Sequence, residues 1–110
     1  MFGKKRSKET DLDATTFEQE LDKRDGAVLI DVRTPAEFAE GHLPHALNID
    51  IYGADFSEAI GKLDKNAPTF LYCRTGNRSG AALQAMKQMG FSEVYHLERG
   101  IIDWHGTIER

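Results

Sequence analysis

Residues 69–79 read TFLYCRTGNRS, a run of four residues without polar alternation followed by a polar loop that begins at Cys73. Such a run is typical of a short strand covered on both faces, as in a parallel sheet. The loop contains two arginines and a glycine, and a helical pattern follows from about Ser79. Ligands of parallel α/β sheets bind beyond the carboxyl ends of the strands. Because Cys73 is the first residue beyond such an end, we expect it to lie at a functional site.

The same alternation of strand and helix continues on both sides of this stretch. Runs at 27–32, 46–49 and 94–97 predict further short strands. Apolar residues recur at helical spacing within 56–63 and 82–89, with Gly90 as a stop signal after the second. Strands that alternate with helices predict an α/β domain built on a mostly parallel sheet.

Two helix starts are predicted from capping boxes, in which a threonine and a glutamate three residues later satisfy each other's backbone donors. The first pairs Thr15 with Glu18. The second pairs Thr34 with Glu37, has proline at the first helical position, and belongs to a short helix that Gly41 is expected to end.

Length and charge predict one domain, residues 12–110, behind a flexible basic tail, residues 1–11. The chain has 110 residues and a formal net charge of -4. The tail holds four Lys/Arg against two acids, so the remaining chain carries about -6 and is a poor nucleic-acid partner. No apolar run is long enough to span a membrane, and none follows the basic start as a secretory signal requires.

The single cysteine excludes an internal disulfide and a zinc site built on several cysteines. The four histidines show no metal-ligand spacing, so neither a metal nor another cofactor is expected. We therefore expect a cytoplasmic, reduced setting.

The loop has the composition of an anion-binding site. A glycine free to adopt positive φ lets successive N–H groups point inward, and the following helix adds its positive end. Helix N-termini and nearby cations favour the thiolate of a cysteine over the thiol. Arg74 and Arg78 offer planar recognition of an anion. Ser79 has two interpretations, as the helix N-cap alone or as a residue that also holds the sulfur or the substrate.

Three segments together resemble the single-domain rhodaneses. They are the loop CRTGNRS at 73–79, LIDVRTPAEF at 29–38 and EGHLPHALNI at 40–49. The resemblance runs from about Leu12 to Trp104 and implies a five-stranded parallel sheet flanked by helices. It also implies thiosulfate-type sulfur transfer through a persulfide on Cys73. The loop that would cradle the sulfur comprises Arg74, Thr75, Gly76, Asn77 and Arg78.

The sequence departs from the family pattern at two positions. His45 stands where glycine often follows the proline, and Arg99 stands in place of the first glycine of a common pair. Both residues are expected to reshape the rim of the site. Relatives that act on phosphate or arsenate place the arginine six positions after the cysteine, whereas Arg78 is five after Cys73, which favours sulfur transfer.

Supporting roles are predicted with alternatives. Asp31 and Arg33 end a strand on the side of Cys73, either to hold the active loop or as a capping and packing pair. His42 is interpreted as a residue that ties a loop down. His96 and His105 are interpreted as ordinary surface or core residues. Trp104 is interpreted as core, with an apolar wall near the mouth of the site or a dimer patch as the alternative.

The leading hypothesis is a sulfurtransferase that moves a sulfane sulfur from thiosulfate or a persulfide donor to cyanide or a thiol. The partners are therefore small sulfur compounds and, as an option, a persulfide-bearing protein. No general base is expected, because no histidine lies near Cys73 in the sequence. The alternatives are a non-catalytic docking or regulatory module and a phosphatase or arsenate-reductase activity.

Overall fold

The computed structural model describes residues 9–110, which form a five-stranded sheet with helices on both faces. The strands are β1 (Asp11–Leu12), β2 (Val28–Asp31), β3 (Leu47–Asn48), β4 (Thr69–Tyr72) and β5 (Val94–Leu97). The helices are α1 (Ala14–Lys23), α2 (Pro35–Glu40), α3 (Phe56–Gly61) and α4 (Asn77–Gln88), followed by a 3₁₀ turn at Ile101–Asp103.

The strand order is β1-β5-β4-β2-β3, and every pair is parallel. All carboxyl ends therefore meet at one edge of the sheet, with β4 in the middle. The predicted α/β class and parallel sheet are confirmed. Asp11, predicted as the last residue of the tail, pairs with His96 as part of β1. The rest of the predicted tail lies almost wholly outside the described residues.

Alternating side chains of the strands divide the core into two clusters. One face carries Ile30, Leu71 and Cys73, and packs against α3 and α4 through residues such as Leu83 and Met86. The opposite face carries a second cluster around Phe17 of α1, which meets the Phe70 ring edge-on at 5.4 Å. Cys73 therefore continues the face that α4 covers.

Helix starts were predicted with unequal success. At α2, Thr34 accepts a hydrogen bond from the Glu37 backbone and Glu37 accepts one from the Thr34 backbone, which confirms the capping box. Gly41 ends that helix as predicted. The predicted cap at Thr15 is wrong: α1 begins earlier because the Asp13 carboxylate caps it by accepting the Thr16 N–H at 2.8 Å.

Candidate active site

Cys73 lies directly after β4, and its sulfur is held by the loop that follows. The backbone N–H groups of Gly76 and Ser79 donate to Sγ at 3.1 and 3.3 Å. A thiolate or a persulfide anion can accept hydrogen bonds from both of these N–H groups. The residue is only 1% exposed. The loop thus forms a pocket of N–H groups around a buried sulfur.

Gly76 allows this loop to close. It has φ 103°, in the left-handed region, and acts as the N-cap of α4. A Cβ built on it would lie 1.9 Å from the Glu98 carbonyl oxygen, so only glycine fits. The prediction of a positive-φ glycine is confirmed, whereas the prediction that α4 begins near Ser79 is wrong by one half-turn.

Ser79 is a buried residue inside the first turn of α4, and the N-cap interpretation is wrong. Its hydroxyl lies 3.5 Å from the Cys73 sulfur, 3.3 Å from the Gly76 carbonyl oxygen and 2.8 Å from His96 Nδ1. The second interpretation, in which Ser79 also holds the sulfur, is the one that this placement favours.

The segment after β5 fastens the loop from the other side. Ile101 donates its N–H to the Cys73 carbonyl oxygen at 2.9 Å. Gly100 has φ 78°, and a Cβ there would lie 2.0 Å from the Arg74 carbonyl oxygen. The glycine that the sequence retains before Trp104 is thus the one that this close approach requires.

The two loop arginines have different environments. The Arg78 guanidinium binds both carboxylate oxygens of Glu37, at 2.7 and 2.9 Å. The sequence predicted that Arg78 would face an anion, but in the structure its guanidinium is occupied by Glu37. These hydrogen bonds lower the pKa of Glu37 to about 2, against a smaller opposing effect of burial, and raise the pKa of Arg78. Arg74 is exposed and has no hydrogen-bond or ion-pair partner for its side chain within residues 9–110.

The remaining loop residues lie at the rim. Thr75 and Asn77 are exposed. Thr75 lines a shallow cleft with Arg99 and Ile102, which places Arg99 beside the loop, as predicted. His45 lies elsewhere: it lines a cleft of about 520 Å³ with Gly26 and Ala27, at the amino end of β2. The predicted place of His45 on the rim is wrong. Its backbone has a φ of 69°, in the left-handed region, which explains why glycine often stands at this position in the family.

Asp31 and Arg33 are buried and bind each other, with a shortest distance of 2.7 Å. Arg33 also donates to the Gly41 carbonyl oxygen at 2.7 Å. These bonds join β2 to the end of α2, and none of them reaches the 73–79 loop; the Arg33 guanidinium instead lies 5.6 Å from the Tyr72 ring centroid, which favours the packing interpretation. Glu37, which the sequence marked only as a capping residue, is the carboxylate that holds the loop.

The other histidines were assigned with mixed success. His42 stacks on the Phe38 ring at 3.8 Å and bonds the Phe38 carbonyl oxygen, in agreement with its predicted structural role. His105 is exposed. His96 is buried between Ser79 and Asp11, a placement more specific than an ordinary core residue.

A family model for the rhodanese-like domain matches residues 13–107. The chain belongs to the rhodanese family. This rhodanese is 40% identical over 89 residues to a thiosulfate sulfurtransferase GlpE of Pseudomonas putida, covering 80% of this chain and 78% of the relative. It is 34% identical to a sulfurtransferase of Allochromatium vinosum over 98 residues, 87% of this chain and 90% of that one.

The fold comparison agrees. A rhodanese-related protein of Thermoplasma volcanium superimposes with a TM-score of 0.79 at 24% identity, over 91% of this chain and 97% of that one. At the level of the family, the similarities to named relatives support sulfurtransferase activity for this rhodanese.

Within residues 9–110, no helix is both long and apolar enough to span a bilayer. The same part of the chain holds no cluster of three ligating side chains suited to a metal ion.

Proposed function

We propose that this protein is a sulfurtransferase that carries sulfur as a persulfide on Cys73, with thiosulfate or a persulfide compound as the donor. The main support for this proposal is the pair of N–H groups of Gly76 and Ser79 that donate to the Cys73 sulfur. Donors fixed in a water-poor site stabilise developing negative charge without reorganisation. The thiosulfate sulfurtransferase name of the Pseudomonas putida relative supports this choice of donor.

The reaction proceeds in two displacements. The Cys73 thiolate attacks the outer sulfur of thiosulfate, the sulfur–sulfur bond of the donor breaks, and sulfite departs with the electron pair. The terminal sulfur of the Cys73 persulfide is then attacked by cyanide or a thiol, which restores the thiolate. Exposed Arg74 and Arg99 are the cations that would attract the anionic donor. The cytoplasmic location stays a prediction, as do the acceptor and the expectation that no cofactor is needed.

Intact-mass measurement after incubation with thiosulfate tests this proposal. We expect a gain equal to one sulfur atom in the native chain and none in Cys73→Ser. Subsequent cyanide should remove the added mass and release thiocyanate. Absence of the adduct with both thiosulfate and an organic persulfide would reject sulfur transfer.

A docking or regulatory module is the second candidate, and the burial of Cys73 is the observation that favours it. A module of that kind would capture its partner equally well with Cys73→Ser, and no sulfur adduct would form. Phosphatase or arsenate-reductase activity is disfavoured by the loop length and by the engagement of Arg78 with Glu37.

A further inference from the structure

A continuous line of hydrogen-bonding groups leads from Cys73 to the edge of the sheet. The Ser79 hydroxyl lies 3.5 Å from the Cys73 sulfur and 2.8 Å from His96 Nδ1, and His96 Nε2 lies 2.8 Å from the Asp11 carboxylate. Ser79 and His96 are buried, at 0% and 6% exposure. No residue of this line other than Cys73 and Ser79 is part of the loop.

The sheet register brings these residues together. His96 pairs with Leu71 on β4 and with Asp11 on β1, and paired residues of parallel strands project to the same face. That face is the one continued by Cys73 and covered by α4, which supplies Ser79. A Cβ built on Gly80 of the same helix would lie 3.5 Å from the His96 ring, so α4 packs closely over the imidazole.

The hydrogen bonds define where the protons lie. The Asp11 carboxylate can only accept, so His96 Nε2 carries a proton and Nδ1 of the neutral ring is an acceptor. The Ser79 hydroxyl then donates to Nδ1, which at 2.8 Å is the nearer of its two acceptors, the other being the Gly76 carbonyl oxygen at 3.3 Å. Its oxygen keeps a lone pair for the S–H of Cys73, in agreement with the contact between them.

We propose that His96 is a positioning residue that takes up the thiol proton of Cys73 through Ser79. The S–H bond of Cys73 breaks and its proton passes to Ser79 Oγ, while the Ser79 hydroxyl proton passes to His96 Nδ1. The thiolate keeps the sulfur electron pair, and the imidazolium is balanced by the Asp11 carboxylate. No proton is gained or lost overall.

The relay completes the set of donors around the sulfur. After the transfer, the Ser79 hydroxyl points at the thiolate and joins the N–H groups of Gly76 and Ser79. Among residues 9–110, the charged side chain that bonds His96 is Asp11 from β1, while α4 presents the neutral Ser79, beyond which lies Cys73. The use of this thiolate in sulfur transfer rests on the proposed function, whereas its formation does not.

The test is a pH titration of thiolate ultraviolet absorbance, taken for each variant as the difference from its Cys73→Ser counterpart. We expect the midpoint of thiolate formation to rise by about one pH unit or more in His96→Gln, a tenfold or greater loss of thiolate at a fixed lower pH. Ser79→Ala should raise it similarly, and the double variant should be no worse than the single variants, because the two residues act as one unit. His105→Gln, at an exposed histidine, is the matched control.

The outcomes separate the relay from a purely structural role and from sulfur transfer. An unchanged midpoint in folded His96→Gln would overturn the relay, even if the variant loses thermal stability and even if Ser79→Ala raises the midpoint. Where His96→Gln fails to fold, His96→Asn takes its place, because Ser79→Ala also removes the direct contact of the hydroxyl with the sulfur and would raise the midpoint without a relay. A raised midpoint in a protein that forms no sulfur adduct would sustain the relay and reject the proposed function, because the titration uses no sulfur donor.

Discussion

The two loop arginines, Arg74 and Arg78, have different roles. Both guanidinium groups carry the same charge, and nothing in the loop sequence distinguishes them. Arg78 is occupied by both oxygens of Glu37, so it fixes the loop. Arg74 is exposed beside the loop and keeps its donors for a ligand. Of the two loop arginines, Arg74 is therefore the one that we propose for recognition of an anionic donor.

Arg74→Ala should raise KM for thiosulfate roughly tenfold with a smaller change in kcat, because one charge-assisted hydrogen bond contributes about 1.5 kcal/mol. Steady-state rates across a thiosulfate series measure this. Lys87→Ala removes the same charge from an exposed position in the last turn of α4 and serves as the control. An equal KM increase in both variants would mean that net charge, and not Arg74 itself, attracts the donor.

The ion pair between Glu37 and Arg78 predicts an acid-sensitive contribution to stability. The pKa of Glu37 in the folded protein, about 2, is below its ordinary value of 4.5, so the carboxylate stabilises the fold fully above about pH 4.5. That contribution is lost as the pH falls toward 2. Glu37→Gln should therefore be less stable than the native chain at pH 7, and the difference should shrink at pH 3.

Denaturant unfolding of both chains at the two pH values measures that difference. Glu58→Gln, in the first turn of α3, is a control with no ion pair among the described residues. A gap between native chain and Glu37→Gln that stays constant with pH would contradict the prediction.

His96 shows what a single residue's sequence context cannot reveal. The histidine is 23 positions from Cys73, and its neighbours Val94 and Leu97 mark only a buried strand. Its role depends on which strand residues lie side by side, and that register is set by the packing of the whole sheet. A polar side chain within a buried strand was the only available signal, because buried polar groups require partners.

At the scale of elements, local chemistry predicted the start of α2 and missed the start of α4. Thr34, Pro35 and Glu37 carry the capping signal in their own side chains. Gly76 has no side chain and so carries no capping signal. Glycine is required there because the backbone is left-handed and the Glu98 carbonyl approaches closely. The error at α1 is of a third kind, because Asp13 and Thr15 are both good caps and the chain path after β1 decides between them.

Gly76→Ala should distort the turn that connects β4 to α4. Its Cβ would collide with the Glu98 carbonyl oxygen in a backbone conformation that alanine rarely adopts. We expect a loss of sulfur-transfer rate of about 100-fold, the order that a 1 Å displacement of reacting groups can cost. Rate measurement on protein shown to be folded by circular dichroism is the assay.

Gly61→Ala is the matched control for that substitution. Gly61 ends α3, and a Cβ there meets nothing within 4 Å. Its rate should be native, and its stability should be unchanged or slightly higher. Native activity in Gly76→Ala would show that the loop tolerates a different path around the sulfur.

In the whole molecule, one strand of the sheet places Cys73, and segments that follow the neighbouring strands hold the loop around it. β4 is central, so Cys73 is flanked by segments that follow β2 and β5. The parallel architecture could be predicted from unalternating strands and intervening helices. The separate roles of the residues at the carboxyl edge of the sheet could not be predicted, because they depend on contacts between segments far apart in the chain.

The buried pair of Asp31 and Arg33 belongs to this global framework, and its loss should act on folding more than on chemistry. Asp31→Asn leaves a buried guanidinium without its counter-charge, which costs about 3–5 kcal/mol. The total free energy of unfolding of a domain of this size is about 5–15 kcal/mol. Denaturant unfolding should show that loss, and Asp31→Leu/Arg33→Met should recover much of it, because apolar replacement removes both charges together.

The rate per folded molecule then distinguishes the two roles considered for the pair. Measured at low temperature, where Asp31→Asn stays folded, sulfur transfer should remain close to the native rate, because neither side chain forms a hydrogen bond or ion pair with the 73–79 loop. Glu37→Gln should lower the rate under the same conditions, since Glu37 does hold Arg78. A larger loss in Asp31→Asn than in Glu37→Gln would return Asp31 to the active loop and make β2, and not the start of α2, the element that positions it.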